Sequence, residues 1–131
     1  MTKTPFDDIN ELKLPFIDKY EIIGNVRILR FKGPIDSETL PQIISFKEEI
    51  KKRVDIDAVN VLLDLKKATH GDSASLGALI LRLSELKKRN KKLGLINVPE
   101  KFKYMLDICK CSDLFSIFDS EEAALEKLNK D

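Results

Sequence analysis

The stretch VNVLLDLKKATHGDSASLGALILRLSELKKRN, residues 59–90, changes its apolar period halfway along. Its opening, VNVLLDL, is a short and almost wholly apolar run, the pattern of a strand covered on both faces. From Ala74 onward the period becomes helical. Leu76, Leu79, Ile80, Leu83 and Leu86 fall on one arc when each residue advances about 100°. The joint is ATHGDSASLGAL, residues 68–79, which sets an acid and two serines between two glycines. A buried strand that runs directly into an amphipathic helix is one half of a crossover unit, and such units build parallel sheets.

The flanks extend this pattern. Downstream, KLGLINV (residues 92–98) is a second covered strand closed by Pro99, and PEKFKYMLDICK (99–110) reads as a helix with Phe102, Leu106 and Cys109 near one face. LFSIF (114–118) predicts a last short strand. DSEEAALEKLNK (119–130) predicts a capped helix, acidic at its start and basic at its end. Upstream, FIDKYEIIGNVRILRFKG (16–33) gives two β-rich runs around a Gly24-Asn25 turn, with Val26, Ile28 and Phe31 facing the core and Arg27 and Arg30 interrupting them. PIDSETLPQIISFKEEIKKRVD (34–55) reads as a loop and a helix. Ser37 is its expected N-cap, Pro41 lies in its first turn, and Ile43, Ile44, Ile50 and Val54 point inward. Residues 1–14 show no period and are expected to form an extension; residues 15–131 form the domain. The fold class is α/β: a mostly parallel mixed sheet with an antiparallel edge strand and covering helices.

Composition narrows the function. The chain has 131 residues, enough for one domain burying roughly two thirds of its unfolded surface. A formal net charge of +1 argues against a dedicated nucleic-acid binder. The basic run LKKRNKK (86–92) has no stacking aromatic beside it and reads as a solvated helix end. No apolar run approaches the roughly 18 residues of a membrane span, so no membrane insertion is expected, and the N-terminus lacks a secretory layout; a cytoplasmic location is expected. Cys109 and Cys111 read as reduced thiols, and with the single His70 they do not supply a metal site. The five glycines build no phosphate loop, and no GxSxG elbow surrounds Ser73. No catalytic residue, cofactor or metal is expected, and the chain reads as a non-enzyme.

The helix arc opposite the core carries Ala74, Ala78, Leu81 and Glu85, with Gly77 at its border. Small apolar residues and a lone leucine there form a shallow surface that another protein can approach. Ser73, at the start of this helix, reads first as an N-cap. A phosphate on it would add about −1.5 to −2 charges and three acceptor oxygens, tolerated by the helix N-terminus and repelled by Asp72. Its main effect would fall on a partner lying over the Ala74-Ala78-Leu81 strip.

With GPID at residues 33–36, LLDL at 62–65, DSASLGAL at 72–79 and LFSIFDSEEAAL at 114–125, the sequence resembles the STAS domain of anti-sigma factor antagonists from about Phe16 to Leu128. The resemblance implies a protein-binding regulator in a partner-switching pathway of transcription control. Its partners would be an anti-sigma factor that is also a serine kinase, and a phosphatase that restores the serine. It places the phosphorylated residue at Ser73, with Asp72 beside it and Asp36 as the acidic loop residue. Partner contacts are expected from Asp36, Asp72, Ala74, Ser75, Gly77, Ala78 and Leu81. The alternative is a STAS-type scaffold or accessory subunit of a signalling or transport assembly, with Ser73 serving only as a cap. The sequence departs from the family pattern in two places. Ser75 stands where glycine is usual, adding bulk on the expected partner side, and His70-Gly71 replace apolar residues, with Gly71 expected to loosen the joint.

Overall fold

The computed structural model describes residues 14–52 and 59–130. Most of the expected extension at residues 1–14, and Val54 of the first helix, lie outside the described residues. In chain order the elements are β1 (Ile17–Ile23), β2 (Val26–Ile35), α1 (Leu40–Lys51), β3 (Asn60–Gly71), α2 (Ser73–Lys87) and β4 (Leu93–Ile96), followed by α3 (Glu100–Ile108), a 3₁₀ turn (Ser112–Leu114), β5 (Ser116–Ile117) and α4 (Glu121–Lys130). The five strands form one sheet in the order β1-β2-β3-β4-β5. Among the described residues only the β1–β2 pair is antiparallel; β2–β3, β3–β4 and β4–β5 are parallel.

A sheet whose neighbours follow chain order steps in one direction. Crossovers of one hand therefore place α1, α2 and α3 on a single face. The core divides accordingly. Val61, Leu63 and Leu65 of β3, with Leu93 and Leu95 of β4, pack with Leu76, Leu83 and Leu86 of α2 and with Phe102 and Leu106 of α3. The alternate residues serve the other face: Leu62 and Ile96 join Val26, Ile28, Ala124 and Leu128 beneath α4. Strand period 2 thus explains why Val61, Leu62 and Leu63 are apolar in succession, each facing one covered side of the sheet or the other, and each fully buried leucine contributes about 1.5–3 kcal/mol. α4 sits so close to β4 that a Cβ on Gly94 would lie 2.9 Å from the Phe118 ring and 3.2 Å from Leu128.

The Gly24-Asn25 turn joins β1 to β2, as its sequence predicts, and Gly24 adopts φ +64°. The Asn25 amide donates to Asn129 Oδ1 at 2.7 Å, tying this turn to the end of α4. Buried Asn60 adds a second tie there: its Nδ2 donates to the Leu128 carbonyl (2.7 Å), and its Oδ1 accepts from the Lys92 amide (2.8 Å). Farther along β2, Arg30 joins four elements, donating to Glu21 of β1 (Nε, 2.8 Å), Asp64 of β3 (2.8 Å) and Glu121 of α4 (2.6 Å).

Several expectations need correction. Ile44 is 48% exposed; the inward positions of α1 are Ile43, Phe46 and Ile50, spaced three and four apart, and Ile44 lies a further 100° around. Thr39, not Ser37, occupies the N-cap of α1. Cys109 is exposed as the C-cap of α3, where the chain leaves the sheet, while Phe102 and Leu106 are buried. Arg27 does not merely interrupt β2: it is 4% exposed, its guanidinium 5.7 Å from the centroid of the buried Tyr20 ring. Burial raises the Tyr20 phenol well above its ordinary range, against the lowering influence of Arg27 and Arg82.

Candidate functional site

The parallel register of β2 and β3 builds the site. Ile35 pairs with Gly71, so the residues that follow each strand emerge side by side at the carboxyl edge of the sheet. This is the edge at which open α/β sheets present their loops for recognition. Asp36 and Asp72, 36 positions apart in the sequence, become neighbours there. The Ser37 amide donates to Asp72 Oδ2 at 3.2 Å, and His70 Nε2 lies 3.1 Å from Asp36 Oδ2.

Each carboxylate also organises its own loop. Asp36 Oδ1 accepts from the Glu38 amide (3.0 Å) and the Thr39 amide (3.2 Å), while the Asp36 amide donates to Thr39 Oγ1 (2.9 Å). Desolvation pushes the Asp36 carboxyl upward, but the Thr39 and Glu38 amides and His70 outweigh it and hold the group below its ordinary range. Asp72 is the N-cap of α2. Its Oδ1 accepts from the Ser75 amide (3.0 Å); the Ser75 hydroxyl accepts from the Asp72 amide (2.9 Å) and donates to the Asp72 carbonyl (2.7 Å). This is a reciprocal capping box with serine in the place usually held by Glu or Gln.

The box separates the two serines. Ser75 is 1% exposed, its hydroxyl spent on the backbone, so it does not reach the surface where a partner contact was expected. Ser73 is not the cap. It is the first residue of α2, one position beyond Asp72, and is exposed. Ala74 and Gly77 are also exposed, Leu81 is 60% exposed, and Ala78 is half-buried. Leu76, Leu83 and Leu86 point the other way, into the core. The strip expected from the helix period is therefore open to solvent, with Ser73 at its head.

Gly71 does not loosen the joint. A Cβ there would lie 2.7 Å from the Phe102 ring and 2.8 Å from Ser75 Oγ. The two departures noted in the sequence are one device: the absent side chain at residue 71 makes room for the hydroxyl at residue 75. Sequence reading missed this, and it missed the His70–Asp36 contact. The available signals were Asp72 standing three residues ahead of Ser75, which is cap spacing, and the two parallel strands ending together.

The described residues contain no group of three or more metal-ligating side chains. No helix among the described residues is long and apolar enough to cross a membrane. What the arrangement offers is an exposed hydroxyl, two braced carboxylates and a shallow apolar strip.

Comparison with known proteins agrees with this architecture. The family model of the STAS domain matches residues 19–124. An anti-sigma factor antagonist from Mycobacterium paratuberculosis is 19% identical over 86% of this chain and 92% of its own, with a TM-score of 0.69. The Bacillus cell fate determinant SpoIIAA, in its phosphorylated form, is 18% identical over 83% and 96% of the two chains, with a TM-score of 0.61. The murine anion transporter Slc26a9 matches with a TM-score of 0.66 and 18% identity over 93% of this chain but only 20% of the transporter. These likenesses are likenesses of fold, shared by free-standing regulators and by part of a transporter. With its family match running from the first strand into the last helix, the chain belongs to the STAS domain family.

Proposed function

We propose that this protein is an anti-sigma factor antagonist: a non-enzymatic, cytoplasmic regulator that binds an anti-sigma factor serine kinase through the α2 face and is released when Ser73 is phosphorylated. The observation that carries the reading is the contrast between the two serines. Ser73 is exposed at the head of an open apolar strip, whereas Ser75 is buried in the capping box. Among the fold relatives, SpoIIAA has been solved in a phosphorylated form.

The chain supplies only the acceptor. The Ser73 oxygen attacks the γ-phosphorus of the ATP held by the kinase, the bond to the β-phosphate oxygen breaks and ADP leaves. The hydroxyl proton passes to a base on the kinase. The product places a near-dianion beside Asp72 and close to Asp36. The first turn of α2 tolerates this charge through its unpaired amides, so the fold survives. A partner covering Ala74, Gly77, Ala78 and Leu81 would instead have to accommodate the phosphate next to both acids, and association is lost. Asp36 and Asp72 hold the loop in place and contribute the acidic rim. A phosphatase restores the binding form.

The test is phosphorylation by the kinase that co-purifies with the chain, with ATP, and peptide mass spectrometry. Modification is expected at Ser73 and not at Ser75, and Ser73→Asp is expected to weaken the complex. A stable complex in which ATP leaves Ser73 unmodified would overturn the switch. A second reading, an accessory domain of a transport assembly, is favoured by the fold shared with part of Slc26a9. Recovery of transporter subunits in place of a kinase would select it.

A further inference from the structure

A cavity of about 180 Å³ lies between α1, the sheet and α2. It exists because α1 covers the sheet incompletely: only Ile50 of that helix is buried, and Ile43 and Phe46 are half-buried. Its walls are hydrocarbon, from Phe31, Val61 and Leu63 of the sheet, Ile43 and Phe46 of α1 and Leu79 of α2. Water finds no hydrogen-bond partners against such walls, whereas an apolar molecule gains dispersion contacts. An engineered apolar cavity of roughly 150 Å³ admits a six-carbon ring, so this one has room for a hydrocarbon of about six to eight carbons.

The polar side chains along the cavity already have partners, and this decides the charge of the ligand. Glu85 Oε2 lies 3.1 Å from Arg82 and 3.5 Å from Lys47. The Arg27 guanidinium lies 5.7 Å from the centroid of the Tyr20 ring. His70 Nε2 faces Asp36, and the Ser75 hydroxyl donates to the Asp72 carbonyl. Lys101 stands exposed in solvent. A carboxylate would have to displace Glu85 to reach Arg82 or Lys47, and away from them it would be buried without a counter-ion. A neutral hydrocarbon gives up only its contacts with water, which is favourable. We infer that the cavity is a binding site for a small uncharged apolar molecule, of the size of a monocyclic aromatic, lying against the Phe31-Val61-Leu63 wall. Ala78 and Leu81 border the same cavity from the outside strip, which places the ligand directly behind the α2 face. Binding is measured on the protein alone, so its success or failure is separate from that of the phosphorylation reading.

The experiment is isothermal titration calorimetry of the full chain with toluene at neutral pH, alongside benzoate, which presents the same ring with a charge. Saturable one-to-one binding of toluene, at least tenfold tighter than benzoate, is expected. Intermolecular nuclear Overhauser effects should connect the toluene protons with the methyl groups of Val61, Leu63 and Leu79. Ile43→Phe and Ala68→Leu, both at lining positions, add carbons to the cavity and should each weaken toluene at least tenfold while keeping the circular dichroism of the parent. Where a variant fails to fold, the Overhauser contacts on the parent chain still locate the ligand. No saturable heat from toluene would overturn the inference. So would equal affinity for benzoate, Overhauser contacts confined to residues outside the cavity, or unchanged affinity in a folded cavity-filling variant.

Discussion

The fit between Gly71 and Ser75 can be tested by changing each alone and then both. Gly71 lies outside the left-handed region, so alanine costs nothing in backbone conformation there and the effect is one of space. An added methyl would stand 2.7 Å from the Phe102 ring and 2.8 Å from Ser75 Oγ. Overpacking of this kind costs about 1–3 kcal/mol. Ser75→Ala removes the acceptor of the Asp72 amide and the donor to the Asp72 carbonyl, and should cost about 1–2 kcal/mol as the loss of a cap and of a satisfied buried hydroxyl. For a chain of 131 residues, 1 kcal/mol moves Tm by about 3–4 °C. Gly71→Ala should therefore lower Tm by roughly 3–12 °C and Ser75→Ala by roughly 3–8 °C. In the double variant the clash with Oγ is gone and only the Phe102 contact remains. The combined loss should then fall short of additivity by at least about 0.5 kcal/mol. Urea denaturation with a common m-value measures all four corners. Strict additivity, or a Gly71→Ala variant as stable as the parent, would refute the reasoning.

Leu81→Arg, at a position 60% exposed, should change stability by less than about 0.5 kcal/mol in thermal melts yet abolish capture of the anti-sigma partner. Ala78, half-buried against the cavity, is a less clean site for that test. Gly94→Ala should cost about 1–3 kcal/mol in urea denaturation, because its methyl would press on Phe118 and Leu128 beneath α4. Burial alone would raise the Asp64 carboxyl, but Asn97, the Lys66 amide and Arg30 hold it below its ordinary range. A depressed folded-state pKa means that its stabilisation is complete above the unfolded value of about 3.9 and fades as pH falls through the folded one. Urea midpoints followed from neutral pH into this acid range should fall less steeply for Asp64→Asn than for the parent.

Strand and helix order was legible because the sheet is covered on both faces and its helices keep a clean period. The β3–α2 joint and the exposed strip followed from that period alone. Other features were not legible because they depend on neighbours remote in sequence. Arg27 reads as a surface residue in any strand pattern, yet it lies over the Tyr20 ring of the adjacent strand. Ile44 was expected to point inward beside Ile43, but one residue of helical phase turns it out to solvent. Ser73 and Ser75 look alike in DSAS. Only the box with Asp72 buries one and leaves the other in water.

The bond between Asn25 and Asn129 spans 104 positions, and this has a consequence for synthesis on the ribosome. At about 5–20 residues per second, the turn amide waits on the order of 5–20 s for its acceptor to be translated. Until then Val26, Ile28 and Leu62 have no Ala124 or Leu128 to cover them. The first hairpin to emerge is the last to be finished, and a nascent chain paused before Leu128 presents that bare sheet face to chaperones.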